Sequence, residues 1–330
     1  MSEVPLTERL VLLGNRWMEY GSKELLPLVD SSHLLGDGNA MRRLLETDGY
    51  LLIRGLHDRD EVLGARLRVL EHIQNSGEDQ LNRTYTLEEG VLNHDCRAGC
   101  VPFMEGANNL TQCEAVKRVI EGRRAVDFFR TLFQEEPRTF DYKWLRAMYS
   151  EGFTGAHVDN VYMGRGTNQL LTMWTPFDDV NIEKGTLAIC ESSHRLPSFS
   201  HFQETYGSFD VEEGGLEGSG WFTNDPLEIT QQFGGQWRTS DFQAGDALIF
   251  TMRTVHMSTV NTTHYARISC DTRWLPASHQ PDPRYVGEIK SQVMPKYGVH
   301  GQDSRSNKTK KITMDDLKTK WGFPKLELVR

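Results

Sequence analysis

The sequence predicts a mainly β fold with flanking helices, of the α+β class, in which the strands form an antiparallel sandwich or jelly roll. From about residue 139, short β-rich runs follow one another between turn residues, with no helical pattern separating them. Before that point, apolar residues recur at helical spacing in several segments. The chain has 330 residues, 38% hydrophobic and 25% charged, which is enough to bury a large core and excludes a disordered or fibrous protein.

The first part, residues 1–138, is predicted to be mostly helical. Apolar side chains from Met41 onward have helical spacing, and the run Asp48-Gly-Tyr-Leu-Leu-Ile-Arg-Gly predicts a short strand between glycines. Asp58 is a candidate N-cap for a helix of about four turns with one apolar face. A further helix is predicted from about Glu114 to Phe133.

The jelly-roll core is predicted over residues 139–280, with strands beginning near Tyr142, Leu170, Gly185, Ala247 and Tyr265. Within it, residues 201–240 are rich in Gly, Glu and Gln and predict a lid-like insertion, because loops of this length are usually functional or disordered.

Residues 281–330 form a basic C-terminal extension, in which Thr313 is a candidate helix start and which is interpreted as a solvated face or a packing arm. Since no linker or repeat divides the chain, a single domain over 1–330 is expected.

Charge and composition narrow the classes of partner. The net charge of −9 argues against a nucleic-acid or anionic-membrane surface over the whole protein. No apolar run is long enough to span a bilayer, and the N-terminus lacks the layout of a signal peptide. Five cysteines, an odd number, suit a reducing compartment. A cytoplasmic protein is predicted, and nothing in the sequence indicates its oligomeric state.

Three residues form a candidate metal site. His157 and Asp159 are two residues apart, so in an extended segment both side chains point to one face. His256, at the end of a predicted buried strand, supplies a third ligand. Two imidazoles and one carboxylate are the facial triad that binds non-haem Fe(II) and leaves three adjacent positions open. A hydrogen-bonded structural histidine is the better interpretation of His157 taken alone, and the three residues together favour the metal site.

Arg267 and Ser269 form a candidate carboxylate-binding pair. They follow His256 by eleven and thirteen residues and lie two apart, hence on one face of a predicted strand. The planar guanidinium donates two charge-assisted hydrogen bonds to a carboxylate, and the neighbouring hydroxyl adds another.

These motifs, together with Gly185-Thr-Leu, Ser193-His-Arg and Gly245-Asp, occur in an order that resembles the phytanoyl-CoA dioxygenase family of Fe(II)/2-oxoglutarate-dependent oxygenases. The resemblance covers about residues 139–275. It implies a cupin-like double-stranded β-helix, with His157, Asp159 and His256 as iron ligands and with Arg267 and Ser269 on the distal carboxylate of 2-oxoglutarate. It also implies that the enzyme uses O₂ and 2-oxoglutarate, forms succinate and CO₂, and most simply hydroxylates an unactivated C–H bond of a small organic molecule.

Several alternatives remain open. Trp174 is a candidate lining residue of the cosubstrate pocket, and a large core aromatic is an equal alternative. The same iron centre is compatible with oxidative cyclisation, desaturation or epimerisation. The resemblance argues against halogenation, because related halogenases have a small residue in place of the carboxylate that Asp159 supplies here. A non-catalytic, cupin-like binding or sensor protein is a further alternative. An acyl-CoA and another small molecule both remain as substrates, although the acidic residues of the insertion would repel CoA phosphates.

Overall fold

Two β-sheets face each other in the computed structural model, which describes residues 9–76, 79–96, 104–287 and 312–324. The strands are β1 (Leu10–Leu13), β2 (Arg16–Glu19), β3 (Leu25–Pro27), β4 (Tyr50–Ile53), β5 (Pro137–Thr139), β6 (Trp144–Met148), β7 (Leu171–Pro176), β8 (Leu187–Glu191), β9 (Gln236–Thr239), β10 (Ala247–Thr251), β11 (His256–Ser258) and β12 (Arg267–Pro276). One sheet has six strands in the order β4-β10-β7-β12-β5, with β6 also paired to β12, and the other has four in the order β11-β8-β9-β3. A separate hairpin is formed by β1 and β2. All pairs but β3 with β9 are antiparallel, which confirms the predicted fold class.

Apolar side chains from both sheets meet between them. Leu52, Trp174 and Phe250 come from the six-stranded sheet and pack with Ile189 of the four-stranded sheet. Because side chains alternate along a strand, each of these strands also presents a second face outside the sandwich.

Helices cover the outer face of the six-stranded sheet. They are α1 (Gly38–Asp48), α2 (Arg59–Asn75), α3 (Glu114–Ile120) and α4 (Arg123–Phe133). The side chain of Asp58 accepts hydrogen bonds from two backbone amides at the start of α2, which confirms the predicted N-cap. Phe129 of α4 stacks on Trp274 of β12 with ring centroids 4.5 Å apart. These contacts bury the apolar stripes that the sequence predicts.

The helix predicted from Glu114 to Phe133 is divided in two at Gly122. This residue is the N-cap of α4 and has an extended backbone. A Cβ atom at Gly122 would lie 1.8 Å from the carbonyl oxygen of Arg118, so only glycine allows the chain to approach the end of α3 this closely.

The N-terminal part contains more strand than the sequence predicts. The prediction of a mostly helical 1–138 misses β1, β2 and β3, and β3 pairs in parallel with β9 as an edge of the four-stranded sheet. Strands of three or four residues carry too little alternation for the periodicity to show.

The segment predicted as a lid-like insertion is instead largely structured. It contains α6 (Ser200–Glu204), α7 (Pro226–Phe233) and the strand β9, whereas α5 (Asn160–Met163) precedes it in the chain. Its aromatic side chains Phe202, Tyr206 and Phe222 are buried in one cluster behind β8 and β11. Their ring contacts, at centroid distances of 5.0–5.2 Å, make the segment part of the core.

The described part of the C-terminal extension packs onto this insertion. The last helix, α8 (Met314–Trp321), begins at Thr313, whose hydroxyl and the carboxylate of Asp316 form a capping box, so the predicted helix start is confirmed. Leu317 and Phe323 are buried against the aromatic cluster. The extension acts as a packing arm over 312–324, while 288–311 and 325–330 lie outside the described residues. The division into three parts of one domain stays a prediction.

No helix among the described residues combines the length and the apolar composition that crossing a bilayer requires.

Candidate metal centre and cosubstrate site

The structure brings His157, Asp159 and His256 together between the sheets. All three are buried, and their ligand atoms lie within 4.8 Å of one another. Oδ1 of Asp159 is 3.9 Å from Nε2 of each histidine. The two histidines also exchange backbone hydrogen bonds of 3.0 Å, so a local antiparallel bridge fixes their separation.

Both imidazoles are oriented for metal binding through Nε2. Nδ1 of His157 lies 2.8 Å from the carbonyl oxygen of Gly155, and Nδ1 of His256 lies 3.0 Å from that of Thr254. A carbonyl only accepts, so each Nδ1 carries the proton and donates it, which leaves the Nε2 lone pair for a cation. The donor set of two neutral imidazoles and one carboxylate fits Fe(II).

Burial keeps the two histidines neutral. Desolvation, together with the neighbouring His256, lowers the pKa of His157 to about 3. Desolvation also lowers the pKa of His256. Neither imidazole therefore has to lose a proton before it binds a metal near neutral pH.

Asp159 is held as a carboxylate by its neighbours. Burial alone would raise its pKa, but the positive charge of Arg273 and the surrounding groups lower the pKa of Asp159 to about 2. Nη2 of Arg273 lies 3.3 Å from Oδ1, and the hydroxyl of Thr172 donates a hydrogen bond to Oδ2. The only carboxylate of the triad is thus ionised and bonded at both oxygens.

The local structure around the ligands differs from the sequence prediction in two places. Asp159 does not continue an extended segment: its backbone is α-helical, and α5 begins immediately after it. His256 does not end the strand β10 but begins β11 after a turn. The two ligands from the first segment converge because the chain turns at Asp159, not because both lie on one strand.

Arg267 and Ser269 lie on the inner face of β12. Arg267 is 2% exposed and donates a hydrogen bond from Nη1 to Oγ of Ser269. Its guanidinium carbon is 5.9 Å from the ring centroid of Trp174, which is buried and packs edge-on against Phe242. Trp174 is therefore both a core aromatic and a neighbour of the predicted carboxylate anchor.

Sequence reasoning missed two residues of this site, Thr172 and Arg273. In the register of the sheet they are directly opposite each other on β7 and β12. Arg273 follows Arg267 by six residues, an even number, so alternation along β12 places both on the same face. This even spacing could have indicated from the sequence that Arg273 faces the site. No comparable pattern in the sequence indicates Thr172.

Two polar side chains outside this site have structural partners. Lys143 is fully buried and forms an ion pair with Glu121. The thiol of Cys96 lies 3.2 Å from the carbonyl oxygen of Gln80.

The acidic residues of the insertion are paired with arginines. Asp210 is 2.6 Å from Nε of Arg165, and Glu212 is 2.6 Å from Nη1 of Arg284. Their charge is therefore largely compensated, and the expected repulsion of CoA phosphates loses most of its basis.

Comparisons with known proteins agree with this geometry. The sequence model of the phytanoyl-CoA dioxygenase family matches residues 45–269, a range that includes all six site residues predicted from the sequence. The chain is 25% identical over 262 residues to 1-deoxypentalenic acid 11-beta-hydroxylase of Streptomyces exfoliatus, which covers 76% of this chain and 85% of that protein.

Two solved structures show the same fold. The epimerase SnoN from nogalamycin biosynthesis, in complex with Fe³⁺, alpha ketoglutarate and nogalamycin RO, is 18% identical, has a TM-score of 0.51 and covers 78% of this chain and 94% of its own. EctD from S. alaskensis in its apoform is 16% identical, with a TM-score of 0.50 and coverage of 80% and 89%. The double-stranded β-helix and the enzyme class expected from the sequence are confirmed, with iron and 2-oxoglutarate as the cofactors of that class. Since the family match spans more than half of the sequence, the chain belongs to the phytanoyl-CoA dioxygenase family.

Proposed function

We propose that the protein hydroxylates an unactivated C–H bond of a small organic molecule, with 2-oxoglutarate and O₂ converted to succinate and CO₂. One oxygen atom of O₂ enters the product and the other enters succinate. The observation that carries the proposal is the buried triad of His157, Asp159 and His256 in the same barrel interior as Arg267 and Ser269.

Each residue has a definite task in this proposal. Nε2 of His157, Nε2 of His256 and Oδ1 of Asp159 would hold Fe(II), and Arg267 with Ser269 would hold the distal carboxylate of 2-oxoglutarate. Iron and 2-oxoglutarate, when bound, supply the oxidising chemistry. The protein orients them and excludes water, since all five side chains are buried.

The relative in Streptomyces exfoliatus supports hydroxylation as the outcome, because its name describes a hydroxylase. Cyclisation, desaturation and epimerisation differ from hydroxylation in that no oxygen atom enters the product. Product mass after turnover in ¹⁸O₂ separates the outcomes. The substrate is proposed only as a small organic molecule, and a cytoplasmic location without a nucleic-acid partner stays a prediction from the sequence.

The first experiment is an anaerobic titration of metal-free protein with Fe(II) and then 2-oxoglutarate. We expect a visible charge-transfer band from the iron chelate in the wild type and none in His157→Ala. His72→Ala is the matched control, because His72 is exposed on α2 and should leave the band unchanged. Absence of the band in the wild type would contradict the proposed function.

A second measurement addresses the alternative of a binding or sensor protein. We expect O₂-dependent decarboxylation of 2-oxoglutarate when a panel of small organic molecules is supplied to the iron-loaded protein. Binding of iron and 2-oxoglutarate without decarboxylation across the panel would favour the sensor.

A further inference from the structure

The carboxylate of Asp159 is hydrogen-bonded by side chains from two adjacent strands of the six-stranded sheet. Thr172 on β7 donates its hydroxyl hydrogen to Oδ2, and Nη2 of Arg273 on β12 is 3.3 Å from Oδ1. The two residues are cross-strand partners in the register. Their spacing is therefore set by the register of the sheet, and residues on strands are positioned more precisely than residues on loops.

Arg273 is itself fixed in place. It is 3% exposed, and its guanidinium carbon lies 4.5 Å from the ring centroid of Trp144. Nε is 3.0 Å from the sulfur of Met163. Within the described chain, its ion pair is with Asp159, and Nη1 has no hydrogen-bond acceptor. A buried cation with this single counter-charge is constrained to remain beside the carboxylate.

The two oxygens of Asp159 have different surroundings. Oδ1 lies 3.9 Å from Nε2 of both histidines, and Oδ2 is the acceptor of the Thr172 hydroxyl. Rotation of the carboxylate to turn both oxygens toward the histidines would break the hydrogen bond to Thr172 and the contact with Arg273. The contacts with Thr172 and Arg273 therefore make the two carboxylate oxygens of Asp159 inequivalent.

We propose that Thr172 and Arg273 are positioning residues that restrict Asp159 to one metal-binding oxygen. This inference rests on the proposed function. A facial triad leaves three positions open only if each of its members contributes one donor atom. 2-Oxoglutarate requires two of these positions, so a second oxygen from Asp159 would occupy the position that O₂ needs.

The proposal predicts a selective defect. Without the Thr172 hydroxyl, Asp159 would be free to bind through both oxygens, so iron and 2-oxoglutarate would still bind while a small diatomic ligand would bind more weakly. A side chain that only supported the fold would, on losing its contact, impair all three ligands together. The difference between these two patterns is the readout.

The experiment uses nitric oxide as an unreactive probe for the O₂ position. Full-length protein is loaded anaerobically with Fe(II) and 2-oxoglutarate, the charge-transfer band reports the chelate, and the electron paramagnetic resonance signal of the nitrosyl complex reports the third position. We expect Thr172→Val and Arg273→Met to keep the band and to bind nitric oxide more weakly by about 10-fold, the order of the activity lost when a hydrogen-bonding partner of a metal ligand is removed. Thr172→Ser should restore nitric oxide binding, because serine keeps the hydroxyl.

Thr175→Val is the matched control. Thr175 is buried on the same strand but at an odd spacing from Thr172, with its hydroxyl 3.4 Å from Nε2 of His57, so nitric oxide binding should be unchanged. Wild-type nitric oxide affinity in both Thr172→Val and Arg273→Met would overturn the proposal, and so would joint loss of the band and of nitric oxide binding. Absence of the band in the wild type would overturn the proposed function first, and this inference with it.

Discussion

Replacement of Arg267 by methionine tests the assignment of the 2-oxoglutarate anchor. Arg267 is 2% exposed, so a carboxylate that it binds is removed from solvent together with the guanidinium. Truncating one partner of such a buried, hydrogen-bonded charge pair costs about 2–5 kcal/mol. Since about 1.4 kcal/mol corresponds to a factor of ten, the dissociation constant of 2-oxoglutarate should rise by about 30-fold to about 4,000-fold.

The assay is an anaerobic titration of 2-oxoglutarate into the Fe(II)-loaded protein, followed by the charge-transfer band. Arg267→Lys keeps the charge but not the planar fork, so its affinity should lie between those of the wild type and Arg267→Met. Arg130→Met is the control, because Arg130 is exposed on α4 and pairs with Glu136 at the surface. Iron affinity should be preserved in all three variants. A wild-type dissociation constant for 2-oxoglutarate in Arg267→Met would refute the assignment and move the anchor to another residue.

Three further predictions concern stability and its dependence on pH. Burial lowers the pKa of His57 to about 4, so the unfolded chain takes up a proton near pH 6.5 that the folded protein does not. Stability is therefore lost as the pH falls from about 6.5 toward 4, by about 2 kcal/mol at pH 5, and His57→Gln should reduce this loss in urea unfolding of the metal-free protein. If the free energy of unfolding fell by the same amount between pH 7 and pH 5 in His57→Gln as in the wild type, this prediction would be contradicted. Phe202→Ala should lower the free energy of unfolding by about 3–5 kcal/mol, because the ring is fully buried in the aromatic cluster. Trp17→Ala, at a side chain that is 63% exposed, is its control and should change the free energy by less than about 0.5 kcal/mol. Thr313→Ala removes the capping box of α8 and should lower the hydrogen-exchange protection of that helix by about 1 kcal/mol, and equal protection would show that the cap contributes nothing.

The sequence predicts those parts of the fold that depend on local patterns. The strands that begin near Leu170 and Ala247 are in place, because their apolar runs and turn residues are local signals. The N-cap Asp58 and the helix start at Thr313 are also local and are also confirmed. The three candidate metal ligands could be predicted for a different reason, because few residue types bind iron and their order along the chain is therefore informative; that they bind a metal stays a prediction.

What the sequence does not predict depends on distant contacts. The segment 201–240 has a loop-like composition, yet its aromatic side chains are buried against β8 and β11, which are distant in the sequence. The contact of Thr172 with Asp159 depends on its register opposite Arg273 and on the turn that brings Asp159 to it. Propensity and spacing contain no information about either arrangement.

Side chains along β12 point alternately to the helix-covered core and to the barrel interior, so the same strand contributes to both the core and the proposed active site. Ile268, Cys270 and Trp274 pack outward against the helices, whereas the opposite face carries polar side chains that are also buried: Arg267, Ser269, Asp271 and Arg273. Such a strand normally has its polar face in water, but here that face is the interior of the barrel. Two of its charged side chains form ion pairs there, Asp271 with Arg146 at 3.4 Å and Arg273 with Asp159. It follows that the proposed iron-binding carboxylate also stabilises the metal-free fold, because its removal would leave the buried cation of Arg273 without a counter-charge.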